Sequence, residues 1–269
     1  MLRQFHDLVA LEVAPHGQTR RHPLLFIHGW WGGAWVWDRY LSFFAARGYH
    51  CYALNLRGNH GSRPVPDAGK VSFNDHLADV RELVDVLDKP IVVGHSVGGL
   101  LVLKLAEQIQ LPAFVAIVPA PPRGIFSIKT LRVFLPYVWT MLRCRPFILS
   151  KRTMFSADLN RLSPSEQAFV YERMVPAPGK QGMEIGMLGI PVDAKRTTGP
   201  MLIITGTDDK LIPAAVARTI ARRYQADYKE YARHAHYIIR EPGWEEAAGD
   251  IADWLEENVR VSPATTQST

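Results

Sequence analysis

The stretch that decides the fold is PIVVGHSVGGLLVLKLA, Pro90 to Ala106. An apolar run with strand character, PIVV, meets a tight Gly-His-Ser-Val-Gly turn, and the residues from Val97 onward have the composition of a buried helix. Gly94 and Gly98 flank Ser96 because a side chain at either place would clash in so sharp a turn. A strand-to-helix turn lifts Ser96 above the C-terminal edge of a parallel sheet, where open α/β sheets bind their ligands. It also sets the serine at a helix N-terminus, whose free N–H groups favour developing negative charge. A serine hydroxyl is a poor nucleophile at its own pKa, so a base, an acid and a second oxyanion donor must come from elsewhere in the chain.

The surroundings repeat the strand–helix alternation. Residues 22–29 (HPLLFIHG), 50–56, 90–95 and 113–120 read as strands. Residues 34–49, 72–89 and 97–110 read as helices, the second with Leu77, Val80, Val84 and Leu87 on one face. Near-continuous apolar strands between amphipathic helices predict a mostly parallel, doubly wound α/β sheet covered on both faces. The alternation resumes with a strand at 200–206, a helix at 214–224, a strand at 227–232 and a closing helix at 244–259. Between them, residues 122–196 carry Pro, Met and Trp without clear strands. The expected organisation is therefore a core formed by 1–121 and 197–260, a helical cap inserted at 122–196, and a disordered polar tail at 261–269 (VSPATTQST).

Composition narrows the function classes. The 269 residues are 47% hydrophobic, enough for one large core with an insertion. The net charge of +5 is concentrated in the insertion, where 12 Lys and Arg face 5 Asp and Glu between Arg123 and Arg196. Those charges are interleaved with large apolar residues, so they suggest a surface over an apolar interior, or contact with a lipid interface, and not a nucleic-acid footprint. The first dozen residues have no apolar signal core, and no run of about 18 uncharged apolar residues exists. With Cys51 and Cys144 as the only cysteines, a reducing, cytoplasmic location is expected. No His/Cys/carboxylate spacing resembles a zinc set and no dinucleotide fingerprint is present, so no metal or cofactor is expected.

The missing partners have candidates at the same sheet edge. The loop RHAHYIIREP (233–242) offers two competing bases, His234 and His236. ITGTDDKLIP (204–213) offers Asp208 and Asp209 as the acid that orients the imidazole. FIHGWWGGAW (26–35) is a Gly-rich loop that could supply the Trp30 backbone N–H beside that of Val97 as oxyanion donors.

Taken together, HGWWGG, NLRGNHGS, GHSVG, GTDDKLIP and AHYIIREP resemble the α/β-hydrolase fold superfamily, over nearly the whole span from Ile27 to Pro242. The resemblance favours Asp209, three residues after Gly206 and ahead of Pro213, and His236, five residues before Glu241. It implies a Ser96–Asp209–His236 triad and a serine hydrolase acting on carboxylic esters through an acyl-enzyme. The apolar insertion suggests apolar acyl chains, with Trp31, His95, Phe126 and Trp139 as candidate pocket residues, and Phe134, Met141 and Phe147 as further acyl contacts. HGWWGGAWVWDRY is also similar to the start of plant hydroxynitrile lyases and small methyl esterases. This leaves a cofactor-free lyase, with Lys210 as its only nearby lysine, or a perhydrolase as alternatives, and a ligand receptor behind them. The sequence departs from the common pattern at Asn55 for Asp in the loop after the second strand, at one extra residue there, at Ala235 for Gly before the base, and at the bulky Trp30 and Trp31.

Overall fold

The computed structural model describes residues 1–259, so the expected disordered tail lies outside the described residues. The chain forms an eight-stranded sheet in the order β1-β2-β4-β3-β5-β6-β7-β8. Its strands are β1 (Leu2–Phe5), β2 (Leu8–Val13), β3 (Leu24–Ile27), β4 (Cys51–Asn55), β5 (Ile91–His95), β6 (Phe114–Ile117), β7 (Met201–Gly206) and β8 (Asp227–Tyr231). Strands β3 to β8 pair in parallel, while β1 and β2 pair antiparallel at one edge.

That edge hairpin is the part of the sheet the sequence did not announce. β1 is exposed at three of its four positions, and β2 is only partly buried. Neither offers the unbroken apolar run that marks β3 to β7, which are buried at every position. Burial on both faces is what a parallel sheet between helical layers requires. The helices of the core are α1 (Asp38–Ala45), α2 (Phe73–Val86) and α3 (Val97–Gln108), as the periodicity predicts apart from their ends. α2 begins with a capping box, Ser72 and Asp75 each satisfying the other's backbone N–H.

Between β6 and β7 lie α4 (Ile128–Phe134), α5 (Val138–Leu142), α6 (Lys151–Thr153), α7 (Pro164–Glu172) and α8 (Gly179–Met183). α6 runs on into a π-helical turn, Met154–Asp158, and α8 into another, Glu184–Leu188. The only β-pairing described in this segment is the isolated bridge Phe147–Ala177. It is tied to the core by Arg39, which bonds Glu166 of α7 at 2.5 Å, and by the Asn160 amide, which donates to the Asp208 carbonyl at 3.2 Å. The chain closes with α9 (Ala214–Tyr224) and α10 (Trp244–Asn258).

Register brings the loops together. Ile27 pairs with Gly94, His95 with Ile117, Ile117 with Ile204, and Gly206 with Tyr231. The loops that follow β3, β5, β7 and β8 therefore leave the same edge of the sheet side by side. The two thiols are far apart in character: Cys51 is fully buried on β4, and burial pushes its pKa far up, whereas Cys144 is partly exposed on the segment between β6 and β7.

Candidate active site

The turn between β5 and α3 holds Ser96 at φ +55° and ψ −117°. A non-glycine residue there stores strain on the order of 1–3 kcal/mol and persists only if its neighbours hold it. They do: the Ser96 N–H donates to the Ile117 carbonyl at 2.9 Å, and the Ser96 carbonyl accepts from Ala120 N–H at 2.9 Å. The glycines are required as expected. A Cβ on Gly94 would lie 2.2 Å from the Gly98 carbonyl oxygen, and one on Gly98 would lie 2.3 Å from that of Ile27. The first bond of α3 runs from Leu100 N–H to the Ser96 carbonyl, so the N–H groups of Val97, Gly98 and Gly99 have no intrahelical partner.

Of the two competing histidines, His236 reaches Ser96. Its Nε2 lies 3.0 Å from Ser96 Oγ, and its Nδ1 lies 2.7 Å from Asp209 Oδ2. Asp209 Oδ1 accepts from the N–H groups of Leu211 and Ile212 at 2.8 and 2.7 Å, which fixes the carboxylate. Asp208 turns outward and pairs with Arg161. His234 instead faces Glu241, whose two oxygens also accept from the N–H groups of Ala235 and Tyr237 and so shape the loop. Ala235 has no left-handed backbone, so this loop does not need the glycine of the common pattern. Burial works against charge on His236, but Asp209 in contact, with Asp158 and Glu241 nearby, raises its pKa to about 9.

The Gly-rich loop after β3 meets the elbow at close range: a Cβ on Gly29 would lie 2.8 Å from Ser96 Cβ. Trp30, Val97 and Ser96 line one cavity of about 260 Å³, roofed by the segment between β6 and β7. Its walls are mostly apolar and include Trp31, Phe126, Leu131, Phe134, Met141 and Ile212. The indole N–H of Trp30 donates to the Gln181 side-chain carbonyl, and the Gln181 amide in turn contacts His76 Nδ1 at 2.9 Å. That buried relay sets the orientation of one cavity wall.

Two candidate pocket residues fall outside this cavity. His95 is buried behind the site, where its Nε2 meets the His236 backbone carbonyl at 2.8 Å. Burial holds its pKa at about 3, so it is a neutral support behind His236. Trp139 is 63% exposed on the outer surface, with Arg143 stacked over its ring. A helix of five residues (α5) turns Met141 inward and leaves Trp139 outside. Phe147 is buried but packs edge-on against Trp30, one layer behind the wall. Lys210 is exposed beside Asp208 and Lys129 on the outer face, away from Ser96.

Sequence reasoning noted Asn55 only as a departure from the common loop, without its contact, and missed Asp158. Asn55 uses its side-chain oxygen to accept from Ala34 N–H at 2.6 Å, so the amide in place of the usual carboxylate anchors the loop after β3. Asp158, at the end of the first π-helical turn, is 1% exposed and places Oδ1 3.7 Å from His236 Nε2. No local pattern marks it, because the contact spans the chain.

The family whose model matches is the alpha/beta hydrolase family, over residues 24–253. Among curated proteins, the chain is 26% identical over 261 residues to a non-heme chloroperoxidase of Burkholderia pyrrocinia, covering 87% of this chain and 91% of that one. It is 26% identical over 273 residues to a monoacylglycerol lipase of Mycolicibacterium smegmatis, covering 94% and 93%. Among solved structures, the monoacylglycerol lipase of Paleococcus ferrophilus superposes with a TM-score of 0.71 at 22% identity, covering 94% of this chain and 99% of that one.

Proposed function

Since the chain belongs to the alpha/beta hydrolase family, we propose that it is a serine hydrolase that cleaves carboxylic esters with apolar acyl chains through an acyl-enzyme. The observation that carries this reading is the hydrogen-bonded run Ser96–His236–Asp209 at the wall of an apolar cavity. Ser96 Oγ attacks the ester carbonyl while His236 Nε2 takes its proton. Asp209 fixes the imidazole tautomer and stabilises the imidazolium. The backbone N–H groups of Trp30 and Val97 hold the oxyanion, and the imidazolium then protonates the departing alcohol. Water activated by His236 releases the acid.

We read residues 122–196 as a cap over this site. Its exposed Phe126, Leu131, Leu135 and Trp139, set among basic residues, suit an ester presented at a lipid surface. The monoacylglycerol lipase relative accords with that reading. The chloroperoxidase relative favours a second acceptor, with hydrogen peroxide replacing water at the acyl-enzyme. A lyase is disfavoured, because Lys210 stands outside the cavity.

The test is hydrolysis of p-nitrophenyl esters from acetyl to palmitoyl, wild type beside Ser96→Ala. Turnover should peak at one chain length and fall by about 10³-fold or more in the variant, with the thermal midpoint nearly unchanged. Equal turnover in both would remove Ser96 from the reaction. Adding peroxide and assaying for peracid separates the two acceptors.

A further inference from the structure

His236 has a carboxyl group on each side of its ring. Asp209 at Nδ1 belongs to the run described above. Asp158 at Nε2 does not: it comes from the segment between β6 and β7, is almost fully buried, and keeps Oδ2 without any hydrogen-bond partner. A buried carboxyl group left unsatisfied beside a reactive nitrogen is unusual, because such groups are normally paired. Its position is firmly set. The neighbouring Leu159 is fully buried and its carbonyl accepts from the Gln167 amide at 2.9 Å, while Asn160 and Arg161 both bond Asp208. Asp158 does not line the cavity, so its contact is with the base and not with a ligand there.

Nε2 is the atom that must be unprotonated to take the Ser96 proton. An anionic carboxyl group 3.7 Å away holds a proton on that atom. We propose that Asp158 is a positioning residue whose carboxylate holds the proton on His236 Nε2 and thereby sets the pH above which the base is free, an inference that rests on the role given to His236 above. With Asp158 anionic, His236 is held as the imidazolium, and only loss of the Nε2 proton to solvent leaves that atom able to act.

The other charged and titratable groups around the pair come from three elements. Asp209 lies in the loop after β7, Glu241 and Tyr237 follow β8, and His95 ends β5, neutral in its buried place. Asp209 and Glu241 act on both members, raising His236 and raising Asp158. Burial lifts the Asp158 carboxyl first, those two anions add to it, and His236 pulls the other way, leaving it at about 7. Asp158 and His236 therefore titrate as a coupled pair, each shifting the proton affinity of the other.

The experiment is an NMR titration of the His236 imidazole in the full chain, wild type against Asp158→Asn, alongside the pH dependence of Ser96 phosphonylation by a fluorophosphonate. Removing the anion should lower the His236 midpoint by about one pH unit or more and move the acid limb of phosphonylation down equally. The plateau rate should stay within about threefold. A midpoint that is unchanged or raised overturns the proposal, since a purely structural Asp158 would leave it in place. Absence of phosphonylation in both proteins counts against Ser96 as nucleophile, while the titration still decides the role of Asp158. If Asp158→Asn does not fold, Asp158→Ala takes its place, and a wild-type His236 already neutral at neutral pH overturns the proposal by itself.

Discussion

Asp208 and Asp209 are adjacent and chemically identical, yet the backbone after β7 points them into different environments. Asp209 faces inward, held by two backbone N–H groups and by His236, while Asp208 sits at the surface with Arg161. Asp209→Asn is expected to lower kcat/KM by about 10³–10⁴-fold, because an amide presents the wrong partner to Nδ1–H. Asp208→Asn should stay within about threefold, since an exposed ion pair contributes little. Steady-state kinetics on one ester decides the pair, and a reversed order would place the acid at 208. The choice between these residues was legible only through the resemblance, because spacing alone left both open. The same holds for His234 and His236: both lie in the loop after β8, the resemblance picks His236, and the fold supplies the physical reason, Glu241 facing the first and Ser96 the second.

At the scale of elements, the contact between α3 and the sheet is the tightest joint in the site. Gly98 brings the first turn of α3 against the carbonyl oxygens of Ile27 and His28. Gly98→Ala should destabilise the protein by about 1–3 kcal/mol or more, because backbone must move to admit the methyl group. It should also reduce turnover, since the Val97 N–H shifts with the helix. Urea unfolding read beside activity checks both, and a variant as stable as wild type would mean that the turn is looser than drawn. Elements with a strong pattern were legible from sequence: β3 to β7 and α3 are buried almost throughout, and α2 buries one face. The β1–β2 hairpin was not, because β1 is short and exposed, β2 is only partly buried, and β2 depends on β4 for pairing. Asp158 was not legible either, since its significance arises from a contact between the inserted segment and the loop after β8.

For the whole molecule, the uneven charge and the exposed apolar residues point the same way. The basic insertion carries Phe126, Leu131, Leu135 and Trp139 outward, next to the mouth of the cavity at Phe126 and Leu131. Sedimentation with vesicles should show binding to anionic lipid that weakens with salt, and Trp139→Ser should lower it several-fold without altering turnover of a soluble ester. Binding that ignores lipid charge and Trp139 alike would assign this face another purpose. Among the described residues, no helix is long and apolar enough to cross a membrane. The cavity, at about 260 Å³, has room for roughly nine water molecules. Under the proposed function, a long acyl chain outgrows that volume and requires the segment between β6 and β7 to shift. The distribution of thiols makes that movement observable. Cys51 is sealed in the sheet, and Cys144 stands partly open on the roof, so the native protein offers a single attachment point for a fluorescent dye. A label there, with Trp30 and Trp31 in the cavity wall as built-in donors, turns the roof into its own reporter of opening and closing.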